Sequence, residues 1–276
     1  MELGSVSSYR VLVVGDAIED RYRHCVALGR GTKEAIISVR MDSEEVFKGG
    51  VWASAAHIKD LCNRVDVWHG DKITINTKYV GQYGQKLFSV HESRPCLDHF
   101  MIADLGFYDL VVVFDYGYGF LIKELRDKIM KESRYLAVNA QSNSLNYGFN
   151  RIDEKWPKAD FAVCDELEAR LAAHDQEGEI VDVIRKLPYK SIIVTQGAKG
   201  ATGYSNREFY REDALTDRPV DLLGAGDAVL AIVAPFAKAG FSIGELVHLG
   251  NIAGAVKVGI TGHQRRVTKE DLEKML

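Results

Sequence analysis

Asp221-Leu-Leu-Gly-Ala-Gly-Asp227 runs directly into Ala228-Val-Leu-Ala-Ile-Val-Ala-Pro-Phe236, and the reading of the whole chain turns on this junction. The apolar run reads as a buried helix. Gly224 and Gly226 before it permit close backbone approach and unusual φ/ψ. A Gly-rich turn that opens a helix aims several free N–H groups, and the positive end of the helix dipole, at one point. An anion belongs there, most simply a phosphate in transfer. Asp227 falls in the first turn of the helix, placed to accept a proton from a substrate hydroxyl as general base. Spacing alone weighs this evenly against an ordinary Gly-containing helix start with a stabilising Asp.

Upstream of the junction the chain alternates short apolar runs with helix-like segments. Val11–Val14, Leu110–Phe114, Tyr135–Val138, Phe161–Cys164 and Ser191–Val194 read as buried strands, and each ends in polar or Gly residues. Between and after them, Phe120–Lys131, Glu166–Ala173, Glu179–Lys186 and Ala225–Ala239 read as helices. Such alternation predicts an α/β fold with a mostly parallel sheet covered by helices on both faces. Ligands in these sheets sit at the carboxyl ends of the strands. Residues 23–42 and 73–92 break the pattern: they read as strands without intervening helices, and Gly81-Gln-Tyr-Gly84 as a hairpin turn. They are expected to form a small projecting β-sheet; extension of the main sheet at its edge is the alternative.

Composition limits the function classes. The 276 residues correspond to ~1.8 nominal domains, and 46% apolar with 27% charged residues is ordinary for a soluble globular chain. Lys plus Arg is 35 and Asp plus Glu is 39, a net charge of −4, which argues against a generic nucleic-acid binder. Cys25, Cys62, Cys96 and Cys164 are never closer than 34 residues, so no CxxC motif exists, and no HxxxH or HExxH pair points to zinc. Isolated thiols and the lack of a signal-peptide pattern in Met1–Arg10 lead us to expect a cytoplasmic protein. The longest apolar run, Ala228–Ala237, has ten residues, about half a membrane span. Val14-Gly15-Asp16-Ala17 lacks the GxGxxG of a dinucleotide-binding dehydrogenase.

Gly-Ala-Gly-Asp before a buried helix resembles the C-terminal signature of the PfkB, or ribokinase-like, carbohydrate kinases. Further segments fall in that family's order: Gly15-Asp16-Ala-Ile-Glu-Asp20-Arg-Tyr22, the Gly49-Gly50 pair, Asp165-Glu-Leu-Glu168 in place of Asn-x-x-Glu, and Val194-Thr-Gln-Gly-Ala-Lys-Gly-Ala201. Within the family, Gly15–Tyr22, Asp115-Tyr-Gly-Tyr-Gly119 and Asn139-Ala-Gln-Ser-Asn143 are most similar to the heptose-7-phosphate kinase domain. The resemblance implies a single three-layer αβα ribokinase-like domain over residues 1–276 with a β-lid. It implies ATP-dependent phosphoryl transfer to a hydroxyl of a sugar or sugar phosphate. A nucleoside kinase, or a catalytically weak nucleotide-binding sensor or scaffold of the same fold, stays open beside it.

The resemblance also implies residue roles. Asp227 would be the base, and the amides of Gly224, Ala225 and Gly226 would hold the transferred phosphoryl. Asp16, Gly49, Gly50 and Ser54 would line the sugar, with Lys78, Gln82 and Lys86 facing a substrate phosphate from the lid. Thr195, Gly197 and Asn251 would contact the nucleotide. Asp165 and Glu168 would organise Mg²⁺ through water, although acidic residues are equally ordinary at a helix start. A monovalent cation and a homodimer formed through the lid complete the expectation, with neither nucleic acid nor membrane as partner. Three departures concern the acceptor and the turn. Ala53 stands where the family usually has Asn, with Ser54 as one substitute. Leu222-Leu223 replaces the usual Thr before the turn, which bears on monovalent-cation or nucleotide contacts. The link from Ala56 to Lys78 is short: Arg64–Trp68 reads as one strand and the chain then passes directly to the lid, where the family usually fits a further strand-helix unit.

Overall fold

The predicted strand runs become the centre of the molecule. The structure is a computed structural model that describes residues 2–93, 96 and 104–276. In chain order, β1 (Arg10–Gly15) leads into the long strands β2 (Ala17–Arg30) and β3 (Ile37–Gly50), then α1 (Val51–Ile58), β4 (Arg64–Trp68), β5 (Ile73–Gly81) and β6 (Lys86–Glu92). After these come β7 (Leu110–Asp115), α2 (Lys123–Glu132), β8 (Leu136–Ala140), the one-turn α3 (Ile152–Lys155), β9 (Phe161–Asp165), α4 (Glu166–Ala173), α5 (Ile180–Arg185) and β10 (Ser191–Thr195). β11 (Ala201–Ser205), β12 (Glu208–Glu212), α6 (Ala225–Lys238), α7 (Ile243–Val258) and α8 (Lys269–Glu273) complete the chain.

The main sheet has the order β12-β11-β10-β9-β8-β7-β1-β4. Pairings from β4 to β10 are parallel, and β11 and β12 close one edge antiparallel. Side chains alternate across each strand. Val11 and Val13 of β1, with Leu110, Val112 and Phe114 of β7, pack on the layer holding α1, α6 and α7. Leu12, Val14, Val111 and Val113 point the other way, onto α2, α4 and α5. Burial on both faces is why these strands read as continuous apolar runs instead of alternating ones. Helix α6 is buried from Asp227 to Phe236, which explains an apolar stretch with no polar face. Phe120 and Leu121 pack in the core ahead of α2, so that helix begins three residues later than the apolar pattern predicts. Among the described residues, no helix is long and apolar enough to cross a membrane.

A second sheet, ordered β3-β2-β5-β6, stands apart from the first, so residues 23–42 and 73–92 do not extend the main sheet. Its strands reach further than expected. β2 starts at Ala17, directly after β1, and β3 runs on to Gly50. The early part of β2 hid from a hydropathy reading because Asp20 is buried beside Ile18 and Tyr22. The Gly81–Gly84 turn lies where the hairpin signal puts it, with Gly84 at φ +79°.

Candidate active site

The N-terminus of α6 is built by its glycines. Gly224 caps the helix in the left-handed region (φ +71°), where a side chain is strained. A Cβ there would lie 3.0 Å from His263 Cε1 and 3.5 Å from Lys257 Cε, whereas the space around Gly226 is open. Residues 224–226 are half-buried at the lip of the site while Asp227 lies beneath them. The dipole of this long helix and its first amides therefore point at accessible space.

Asp227 accepts hydrogen bonds from Tyr116 Oη (3.0 Å) and Gln141 Nε2 (2.6 Å). Burial pushes its carboxyl up to about 6, against the Tyr116 bond and the neighbouring His263 and Lys257. A carboxylate carries about four acceptor positions, so two donors leave room for a substrate proton. Tyr116 and Gln141 follow the ends of β7 and β8; the ends of two parallel strands and the start of α6 thus meet on one carboxylate. Asp16, just after β1, joins them: its Oδ2 accepts from the backbone N–H of Tyr116 (3.1 Å) and of Tyr118 (3.4 Å). Burial and the neighbouring Asp115 push Asp16 up to about 7. It therefore does what a strand-end Asp capping a turn does, and the turn it caps carries Tyr116.

The glycine pair packs against the same place. A Cβ on Gly49 would collide with Asp20 Oδ2, and one on Gly50 with the Asp16 carbonyl, at 2.1 and 2.5 Å. Ala53 is half-buried in the first turn of α1. Ser54 is fully buried, with its hydroxyl donating to Gly50 O (3.1 Å) beside the Tyr116 hydroxyl. Ser54 thus faces the base through Tyr116 and does not face open space.

The two lid lysines are differently placed from the sequence expectation. Lys78 is buried, and its Nζ bonds Asp20 Oδ1 across the Tyr22 ring. Burial opposes the ionised form of Asp20, but His263 and Lys78 outweigh it and hold the carboxyl below its usual range. Lys86 Nζ reaches Asp221 Oδ1 at 2.8 Å, and Tyr22 Oη reaches Asp221 Oδ2 at 3.0 Å. Asp221, also bonded by the Gly262 and Leu223 amides, stays well below the carboxylate range despite burial. The Lys86 ammonium straps the small sheet to the body, while Lys78 bonds Asp20 between two strands of the small sheet itself. Gln82 lies exposed at the tip of its hairpin.

Asp165 and Glu168 form a capping box at the start of α4. Asp165 Oδ1 accepts Glu168 N–H (2.7 Å), while Glu168 accepts Asp165 N–H and Ser142 N–H, both at 3.0 Å. Burial, then the Asp165 charge, pushes Glu168 up to about 8. Glu168 is buried with each oxygen already bonded to an amide, whereas Asp165 is exposed and fits a contact to Mg²⁺ through water. Among the described residues no group of three or more His, Cys, Asp or Glu fits a metal ion.

On the remaining flank, Thr195 Oγ1 lies 3.5 Å from Cys164 O, and Gly197 takes φ +56° in the turn after β10. Asn251 donates to Glu212 Oε2 (3.0 Å) on β12, and His248 shares that carboxylate. The small residues around Asn251 serve packing: a Cβ on Gly250 would meet Val229 Cγ1 at 3.2 Å, and Gly254 faces the same valine. Sequence reading assigned no role to Tyr116, Gln141, Asp20, Lys257 or His263. Tyr116 and Gln141 lie in segments that carried the family resemblance; nothing in Gly262-His263-Gln264 signalled a site.

Residues 108–270 match the profile described as pfkB family carbohydrate kinase. The D-beta-D-heptose 7-phosphate kinase of Bordetella bronchiseptica is 25% identical over 297 aligned positions covering 93% of each chain. In fold, the chain is similar to the ribokinase of Thermotoga maritima (TM-score 0.76, 16% identity, 97% of this chain and 99% of that one). It is also similar to the Arabidopsis thaliana ribokinase solved with ribose and ATP (TM-score 0.73, 16% identity, 97% and 98% covered).

Proposed function

Because the chain belongs to the PfkB family of carbohydrate kinases, we propose that it transfers the γ-phosphoryl group of ATP to a hydroxyl of a sugar phosphate of the heptose-7-phosphate type, with Asp227 as the base. The observation that carries this reading is Asp227 itself: a buried carboxylate raised to about 6, directly beneath the half-buried amides that open α6. The acceptor hydroxyl gives its proton to Asp227 as its oxygen bonds to phosphorus. The bond from phosphorus to the β,γ-bridging oxygen breaks, and ADP leaves. The Gly224, Ala225 and Gly226 amides balance charge on the transferred group. Tyr116 and Gln141 orient the base; Asp16, Gly49 and Gly50 shape the acceptor side. Thr195, Gly197 and Asn251 line the nucleotide flank. Mg²⁺ at the ATP phosphates would neutralise their charge and meet Asp165 through water.

The heptose phosphate assignment draws on the 25% identical relative named for that substrate. The chain acts as one kinase domain with the small sheet as its lid. That sheet exposes Ile37, Met41, Val46, Phe88 and Val90 on its outer strands, which fits a second copy of the chain as partner.

The test is ATP consumption over a panel of sugars, sugar phosphates and nucleosides, comparing wild type with Asp227→Asn. The variant should lose about 10²–10⁴-fold in turnover while ATP affinity, read by calorimetry, changes little. Equal turnover by the two proteins removes Asp227 from the mechanism. A wild type that binds ATP and phosphorylates nothing on the panel overturns the kinase reading.

A further inference from the structure

Beneath the anion turn lies a cation that the chain itself provides. Lys257, in the last turns of α7, is fully buried. Its Nζ donates to Leu223 O at 2.7 Å and to Gly262 O at 2.8 Å. The first carbonyl belongs to the residue immediately before Gly224. The second lies in the loop after α7, where Gly262 sits at φ +49° against Tyr22 and Phe47 of the small sheet. The Gly262 amide in turn holds Asp221 Oδ2 at 2.9 Å. Lys257 Cε lies beside Gly224, 3.5 Å from where a Cβ on that residue would stand. Burial lowers its proton affinity from the ordinary lysine value, against the charges of Asp221, Asp227 and Asp20, which favour the ammonium.

Burying an ammonium costs several kcal/mol unless oxygen partners surround it. Here two carbonyls from different segments converge with carboxylates nearby. Carbonyl and carboxylate oxygens are the donor set a hard monovalent ion takes. The resemblance to carbohydrate kinases implied such an ion, but this cradle already holds Lys257 Nζ and does not fit a second cation.

We propose that the Lys257 ammonium serves as a built-in monovalent cation, clamping the Leu223 and Gly262 carbonyls so that the Gly224–Gly226 turn is held ready for the phosphoryl group without K⁺. Lys257 is a positioning residue; it acts through the turn. The proposal rests on reading that turn as the phosphoryl site. Leu223 takes part through its carbonyl alone, so the apolar side chains at 222 and 223 are no obstacle.

The experiment compares wild type, Lys257→Ala and Lys257→Met in tetramethylammonium chloride, KCl and NH₄Cl at equal ionic strength. Melting temperature and ATP turnover are both read. Wild type should melt and turn over alike in all three salts. Lys257→Ala should lose about 10²-fold in turnover in tetramethylammonium, as expected when reacting groups shift by an ångström, and should melt lower. K⁺ or NH₄⁺ should restore part of both. Lys257→Met, whose side chain fills the space without charge, should show the losses and no restoration. Wild-type turnover or melting that rises with K⁺ overturns the proposal, and this arm decides even where the variants fail to fold. A Lys257→Ala that responds alike to all three salts also overturns it. Because melting needs no acceptor, the cation reading is decided separately from the kinase reading.

Discussion

Asp227 illustrates how one side chain takes its chemistry from its surroundings. In the sequence it is an ordinary acidic residue at a helix start. In the fold, burial raises its proton affinity to about 6, while Tyr116, His263 and Lys257 restrain that rise. The ionised form is the one that accepts a proton. Turnover with saturating ATP should therefore fall as pH drops through about 6 and level off above it, read as kcat/KM against pH. A profile flat from pH 5 to pH 8 would assign proton removal elsewhere. The identity and place of Asp227 were legible because Gly-Ala-Gly-Asp and the apolar run are contiguous. Its hydrogen-bond partners were not, since Tyr116 and Gln141 lie 111 and 86 residues away.

Helix α7 shows the same limit at the scale of an element. Small residues such as those at 253, 254 and 255 suit a close approach to a ligand and to another helix alike. The structure sets Gly250 and Gly254 against Val229 of α6, so packing uses them, and Asn251 projects instead toward Glu212. Gly250→Val should destabilise the fold by about 1–3 kcal/mol through overpacking, roughly 2–4 °C of melting temperature per kcal/mol. Unchanged melting would mean that α6 and α7 do not meet as described. Asp165-Glu-Leu-Glu168 likewise carried two readings, and its capping box realises the local one. A capping residue answers to its own helix, which is why short-range spacing serves well there.

Across the molecule, the small sheet is tied to the body through two side-chain pairs, Lys86 with Asp221 and His263 with Asp20. Its outer strands expose apolar side chains that nothing in one chain covers among the described residues. Sedimentation equilibrium should show a dimer for wild type and a monomer for the double variant Ile37→Lys, Val46→Lys, with the monomer's melting largely retained. A monomeric wild type at micromolar concentration would overturn the assignment of that face.

The alternation of apolar strand and helix, the helix-opening glycines and the hairpin turn are local, and nearby residues specify them through backbone conformation and hydropathy period. The main sheet's core strands and α6 were accordingly readable in advance. Which side chains share the site was decided by chain reversal alone. Parallel strands bring the ends of β1, β7 and β8 together across a hundred residues, and long-range burial sets the charge states found there. The lysines show this most plainly. Nothing near Lys78, Lys86 or Lys257 in the chain distinguishes a surface charge from a buried one, because their partners Asp20, Asp221 and the Leu223 and Gly262 carbonyls come from other segments.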